Sequence, residues 1–297
     1  MRTTYILAGA LALAATPAFA KQKLIPLAPG DAAGLQGKSL ALSVHEAPTF
    51  MPMTAGKAGF GLFGVAAMAG AGKTLVTENQ IADPAGMVRE QLSALLRDAY
   101  GAQPLQLDAT LSQSKKPKDI AAAHPNADFV LDVRSTGWTY VYFPTQWARY
   151  AVYYNVQVKL LDKDGREVSN AACNTGTHDH PKPPSREQLH AQQAALLKDV
   201  LGSLAWNCVH ILARDQFAIA ADKLPPIPAQ YADPLSRVPE TDAGAPVGVE
   251  AVPQPVTVQE PATNSDAVPP VETAAPTPNE PVQSSELPAT DDQTRHG

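Results

Sequence analysis

The sequence predicts an α/β protein of the α+β type: a two-layer sandwich with a mainly antiparallel sheet, helices on one face, and a disordered C-terminal tail. Three observations predict it. Residues 151–160 alternate along the chain, with Val152, Tyr154, Val156, Val158 and Leu160 pointing one way and Ala151, Tyr153, Asn155, Gln157 and Lys159 the other, the period of a half-buried strand. Two stretches carry leucines at helical spacing, around Leu92 and around Leu204. Beyond Leu224 the composition changes abruptly, with 15 of the 28 prolines, 11 acidic residues and two arginines in the last 74 positions.

The first residues read as a secretory leader: Arg2, an apolar run from Tyr5 to Ala15, then Ala18-Phe19-Ala20 before Lys21, a signal peptide with a small-x-small cleavage site. The run is shorter than the roughly 20 residues needed to cross a bilayer. Residues 1–20 are therefore expected to be removed, leaving a periplasmic or secreted protein. No cysteine stands at the cleavage site to take a lipid anchor. Residues 21–223 carry 20 basic and 18 acidic residues, enough chain for one α/β domain with its own core. Residues 224–297 carry net charge −9 and a single aromatic, Tyr231; a disordered, proline-rich, acidic tail is expected there.

Within the domain, Ser39–Val44 reads as a strand and Leu105–Leu107 as a short one. Between them lies a helix. Asp83 suits its N-cap and Pro84 its first position; Val88, Leu92, Leu95, Leu96 and Ala99 form one face, and Gly101 ends it. A short helix over Lys118–Ala123 precedes a strand from Phe129 that continues toward Phe143. Asp162-Lys163-Asp164-Gly165 reads as a hairpin turn, with Gly165 at a positive-φ position and a return over Arg166–Cys173. The last helix starts at Ser185, with Gln188 completing a capping box. Its inward face runs from Leu189 through Leu196, Leu197, Val200, Leu201, Leu204 and Cys208 to Leu212.

Cys173 and Cys208 are the two cysteines. Export favours a disulfide between them, and the two periodicities bring both to the same layer. The alternative is a pair of free or metal-bound thiols.

Four stretches carry candidate chemistry. Ala67-Met68-Ala69-Gly70-Ala71-Gly72-Lys73-Thr74 fits a relaxed phosphate-loop pattern, and Phe129–Asp132 imitates the acidic strand of such enzymes. Ala67 replaces the first glycine, however, and Pro84 interrupts the helix that should follow, so no nucleotide or other cofactor is expected. The same region, apolar and rich in Gly and Ala between Lys57 and Lys73, reads as a buried or pocket-lining loop. Its alternatives are self-association or membrane contact through Phe60, Leu62 and Phe63. Trp138, Tyr140, Tyr142 and Trp147 crowd one hairpin; they either stabilise the sheet by cross-strand pairing or anchor a partner. His178, Asp179 and His180 supply metal-binding side chains without a further ligand pair at zinc-like spacing. No nucleophile motif of the Gly-x-Ser-x-Gly kind is present, and the near-neutral domain offers no footprint for nucleic acid.

Between Asp128 and Cys208 the pattern Leu131-Asp132-Val133, Gly137-Trp138, Tyr142-Phe143-Pro144, Trp147-x-Arg149-Tyr150 and Leu161-Asp162 with paired cysteines resembles a group of proteobacterial envelope proteins, often lipoproteins. Its order of elements is similar to that of YajG-like lipoproteins and the N-terminal domain of TolB. The resemblance implies an envelope location and accessory roles with an envelope protein or outer-membrane assembly, and it brings no catalytic residues. The expected function is a non-enzymatic binding or adapter module. Its rivals are a metal-binding or metal-dependent hydrolytic protein and a membrane-interacting or self-assembling one.

Overall fold

The computed structural model describes residues 24–58, 61–107 and 111–239; the leader and most of the acidic tail lie outside them. In chain order the elements are α1 (Pro29–Ala33), β1 (Ser39–Leu42), β2 (Met51–Met53), α2 (Ala55–Ala58), α3 (Gly61–Asn79), α4 (Ala85–Tyr100), β3 (Gln103–Pro104), α5 (Pro117–Ala122), β4 (Phe129–Phe143), β5 (Gln146–Asp162), β6 (Glu167–Gly176), α6 (Arg186–Asp215) and α7 (Ala229–Ala232). The strands form one six-stranded sheet in the order β3-β1-β4-β5-β6, with β2 also paired to β4. The β4–β5 and β5–β6 pairs are antiparallel and carry most of the ladder, while β1, β2 and β3 join in parallel. The α+β sandwich expected from the sequence is the architecture observed.

Two local turns set the register. Gly165 takes φ +77°, its N–H donates to Asp162 O (2.9 Å), and Asp162 N–H donates to Arg166 O (3.1 Å), closing the β5–β6 hairpin. At the start of α6, Ser185 Oγ accepts from Gln188 N–H while Gln188 Oε1 accepts from Ser185 N–H, the reciprocal cap expected from the two residue types. Gly101 ends α4 in the left-handed conformation at φ +70°. The short strand before α5 is Gln103–Pro104 rather than Leu105–Leu107, because Leu105 N–H only closes the ladder onto Leu40 O.

The main core lies between α4 and α6 and one face of the sheet. Leu131, Val133, Trp138 and Tyr140 of β4 and Val152, Tyr154, Val156, Val158 and Leu160 of β5 meet Val88, Leu92 and Leu96 of α4 and Leu197, Val200, Leu201 and Leu204 of α6. Ala99 is exposed, so the α4 stripe ends at Leu96. A smaller cluster of Ala41, Ile120, Ala127, Val130 and Leu161 occupies the opposite face, so α5 packs across the sheet from α4 and α6.

α6 is broken near its start. Ala191 is extended and Gln192, Gln193 and Ala194 have φ of 51–56°, a left-handed turn costly for residues bearing a Cβ. It separates the capped first turn from the long buried segment. Cys173 of β6 and Cys208 of α6 form a disulfide with Cα atoms 5.6 Å apart. Closing a 35-residue loop stabilises a fold by about 3 to 4 kcal/mol in the chain-entropy model.

The fold continues past residue 223, where the composition predicts that the tail begins. Leu235 is buried, Tyr231 packs its ring against Gly202 of α6, and Arg237 pairs with Asp199 at 3.4 Å. The proline-rich composition conceals this segment, which Tyr231, Leu235 and the Arg237–Asp199 pair hold to the rest of the fold.

Candidate functional site

The predicted aromatic anchors separate into two groups. Trp138 and Tyr140 are 2% and 1% exposed, which removes them as a partner-binding surface. The physical reason is a β-bulge: the register shifts between Ser135 and Gly137, so the alternation that begins with Leu131 and Val133 changes parity at Thr136. Trp138 and Tyr140 consequently join the core. Trp138 Nε1–H donates to Pro48 O (2.6 Å), Phe50 packs edge-on to both rings, and Tyr140 packs against Tyr150 and bonds His190 Nε2 at 3.0 Å. Burial raises the Tyr140 phenol; burial, then the nearby Arg186 charge, lowers the His190 imidazole.

Tyr142 is half-buried beside Tyr150. Trp147 is 70% exposed, its Nε1–H turned back onto Pro144 O (2.6 Å). Trp147 shares its end of the sheet with the chain leaving β2. β2 runs parallel to β4 toward the β4–β5 turn, with Met53 opposite Val141, and the chain then enters α2 and α3.

α3 replaces the loop expected for the Gly/Ala-rich segment. Its glycines disfavour a helix intrinsically, but Gly64, Met68, Gly72 and Leu75 recur at helical spacing as its buried stripe. Phe63, at 87%, and Val65 are exposed on it; Phe60 and the side chain of Leu62 lie outside what is described. Gly70, Gly72, Lys73 and Thr74 sit inside this helix. Their backbone amides are committed to the helical ladder, so the phosphate-loop reading is excluded.

The side chains of the histidine loop turn to different partners. His178 stacks on Tyr153 and pairs with Asp179 (3.0 Å), whereas His180 turns to Asp233 (3.4 Å) and to Lys182 N–H. Among the described residues no group of three or more metal-ligating side chains converges. His210, on α6, meets Pro225 O at 2.9 Å.

A polar cluster of which sequence motifs mark only Asp132 occupies the second face of the sheet. Ser43 and His45 follow β1 at alternate positions, and Asp132 and Arg134 alternate on β4. Leu42 lies opposite Leu131, which carries Ser43 to the side of Asp132. Ser43 Oγ and His45 Nε2 both donate to Asp132 Oδ1 at 2.5 Å. Burial pushes the Asp132 carboxyl up, but these hydrogen bonds, with the His45 and Arg134 charges, outweigh it and hold the carboxyl below its ordinary range. The arrangement is not a hydrolytic triad. There the imidazole stands between nucleophile and carboxylate with one nitrogen for each; here hydroxyl and imidazole share one oxygen, and Ser43 is fully buried. His45, Glu46, Pro48, Leu111, Lys115 and Arg134 line a cleft of about 440 Å³ above the cluster. Arg134 Nη2–H donates to Gln157, Gln157 to Asn170 and Asn170 to Glu167, which also pairs with Lys159, so a polar ladder crosses three strands beside the cleft. The signal in the sequence is an aspartate inside the apolar run Phe129–Val133 and a histidine two residues after Ser43.

No family model matches the sequence, and no curated protein matches it. Similar solved structures include lipoprotein GNA1162 from Neisseria meningitidis, 10% identical over 54% of this chain and 92% of that one, with a TM-score of 0.25. The PelC dodecamer from Paraburkholderia phytofirmans is 12% identical over 61% of this chain and 89% of its own, with a TM-score of 0.24. A point variant of that dodecamer gives 14% identity, 66% and 95% coverage and a TM-score of 0.27. Likeness at this level assigns no function to the chain.

Proposed function

We propose that this protein is an exported, non-catalytic binding module of the cell envelope, which engages a partner protein through the end of the sheet carrying Trp147 and the start of α3. The observation that carries the reading is the exposure of Phe63 (87%) and Trp147 (70%) in a fold that buries Trp138 and Tyr140. Exposed aromatics on rigid elements act as hot spots at low entropic cost. Export is supported by the leader sequence and by the Cys173–Cys208 disulfide, a bond that persists in oxidising compartments.

The test is site-specific photocrosslinking from position 65 in the periplasm. A discrete protein adduct that disappears in a Phe63→Ser, Trp147→Ser variant of unchanged melting temperature supports the proposal. An adduct that survives the double replacement, or none at all, overturns it. A second reading, contact with a membrane surface, draws on the uncharged exposed face of α3 between Phe63 and Gly70. Lipid-sized adducts, with co-sedimentation of the protein on liposomes, would favour it over a protein partner.

A further inference from the structure

The sheet ends at β6, and only part of that strand's outer edge is covered. Ile25 N–H donates to Asn170 O (2.7 Å) and Asn170 N–H donates to Ile25 O (2.9 Å), an antiparallel bridge made by a residue outside the six strands. From Asn170 opposite Lys159 to Gly176 opposite Tyr153, β6 keeps one register against β5, so every second residue turns its backbone away from β5. Asn170 is one of these, and Ala172, Asn174 and Gly176 follow it. Among the described residues their outward N–H and C=O groups have no hydrogen-bond partner, and Asn174 is exposed. Such a row of open backbone groups is a template for one more strand.

We infer that this chain's own Lys21, Gln22 and Lys23 occupy the open edge as a further antiparallel strand, with Lys23 opposite Ala172 and Lys21 opposite Asn174. The register follows from the bridge: an antiparallel pair steps forward on one strand as it steps back on the other, and Ile25 opposite Asn170 fixes the starting point. Lys23 N–H then donates to Ala172 O, Ala172 N–H donates to Lys23 O, and Asn174 N–H donates to Lys21 O. The length fits as well. Removal of the leader after Ala20, which rests on the export reading, leaves three residues before Leu24, enough to reach Asn174 and too few to reach Gly176. Tethering selects this occupant over others. The segment is joined to Ile25 through Leu24 alone, so its effective concentration at the edge is of about millimolar order, above that of a second copy or a separate partner strand at micromolar levels. Two lysines in three residues oppose the addition of yet another strand, so the sheet closes on a charged edge.

The experiment is amide hydrogen exchange, followed by NMR on the full chain purified from the periplasm; an intact mass beginning at Lys21 checks the cleavage separately from the pairing. Corrected for intrinsic rates, Ala172 and Asn174 N–H should exchange at least about tenfold more slowly than Gly176 N–H, which faces outward beyond the reach of Lys21. Lys23→Pro removes the donor to Ala172 O and should bring both amides to the rate of Gly176. Gln22→Pro, at a position whose N–H points away from β6, should leave Ala172 protected. Unprotected Ala172 and Asn174, protection that Lys23→Pro leaves intact, or equal effects of the two prolines would each overturn the inference. Protection that rises with protein concentration would overturn it in favour of a second copy paired at the same edge.

Discussion

Gly72 of α3 lies against the carbonyl oxygen of Phe50 so closely that a β-carbon at position 72 would stand 1.7 Å from it. The helix therefore approaches β2 at backbone distance, and the absence of a side chain makes the approach possible. Gly72→Ala should displace α3 and destabilise the protein by about 1 to 3 kcal/mol. Gly70, where a β-carbon would meet nothing within 4 Å, is the internal control: Gly70→Ala should stabilise by about 0.5 to 1 kcal/mol through helix propensity. Urea unfolding of the two variants measures the contrast, and equal effects would place the contact elsewhere.

Trp138 and Trp147 occupy opposite environments on neighbouring strands. Trp138→Ala leaves a cavity beside Phe50 and an unpaired Pro48 carbonyl, and should cost about 3 to 5 kcal/mol. Trp147→Ala should change stability by less than about 0.5 kcal/mol. Chemical denaturation distinguishes the two, and a reversed ranking would mean that the bulge at Thr136 does not form.

His190 couples stability to pH. Burial and the Arg186 charge depress its folded-state pKa, so the unfolded chain takes up a proton near pH 6.5 while the folded chain still excludes it. Its contribution is fully present above that pH and is lost as pH falls through the lower folded value. Melting temperature should decline from about pH 7 to about pH 5, and His190→Gln should flatten the decline. Parallel profiles for the two proteins would assign the acid sensitivity to other groups.

Leu235, 2% exposed, reports on the segment that follows residue 223. Leu235→Ala should destabilise by about 2 to 3 kcal/mol in equilibrium unfolding. A change below about 0.5 kcal/mol would show the segment to be undocked in solution.

The parts of the fold legible in the sequence are those specified by neighbouring residues. Asp162–Gly165 encodes its own turn, Ser185 and Gln188 cap each other across one helical turn, and the alternation through Val152–Leu160 needs only the strand itself. The bulge at Thr136 is hidden because the run from Ser135 to Thr139 reads equally well in either parity, and only pairing with β5 decides between them. α3 is obscured by glycines whose helical role depends on Phe50, a contact outside the segment. The His45–Asp132 pair spans 87 positions and exists because β1 joins β4 in parallel, a pairing with no local signature. The left-handed break at Gln192–Ala194 interrupts a leucine pattern that continues on both sides of it.

The Cys173–Cys208 bond also divides the chain mechanically. A pull transmitted along the backbone passes from Cys173, near the end of β6, straight into α6 through the sulfur atoms, bypassing the 34 residues of sequence between the two cysteines. About 120 Å of potential extension, at about 3.5 Å per residue, is thereby withheld from any load while the bond is intact. The capped turn, the left-handed break and most of α6 lie inside this bypassed loop, so tension on the chain ends reaches the sheet without drawing them out.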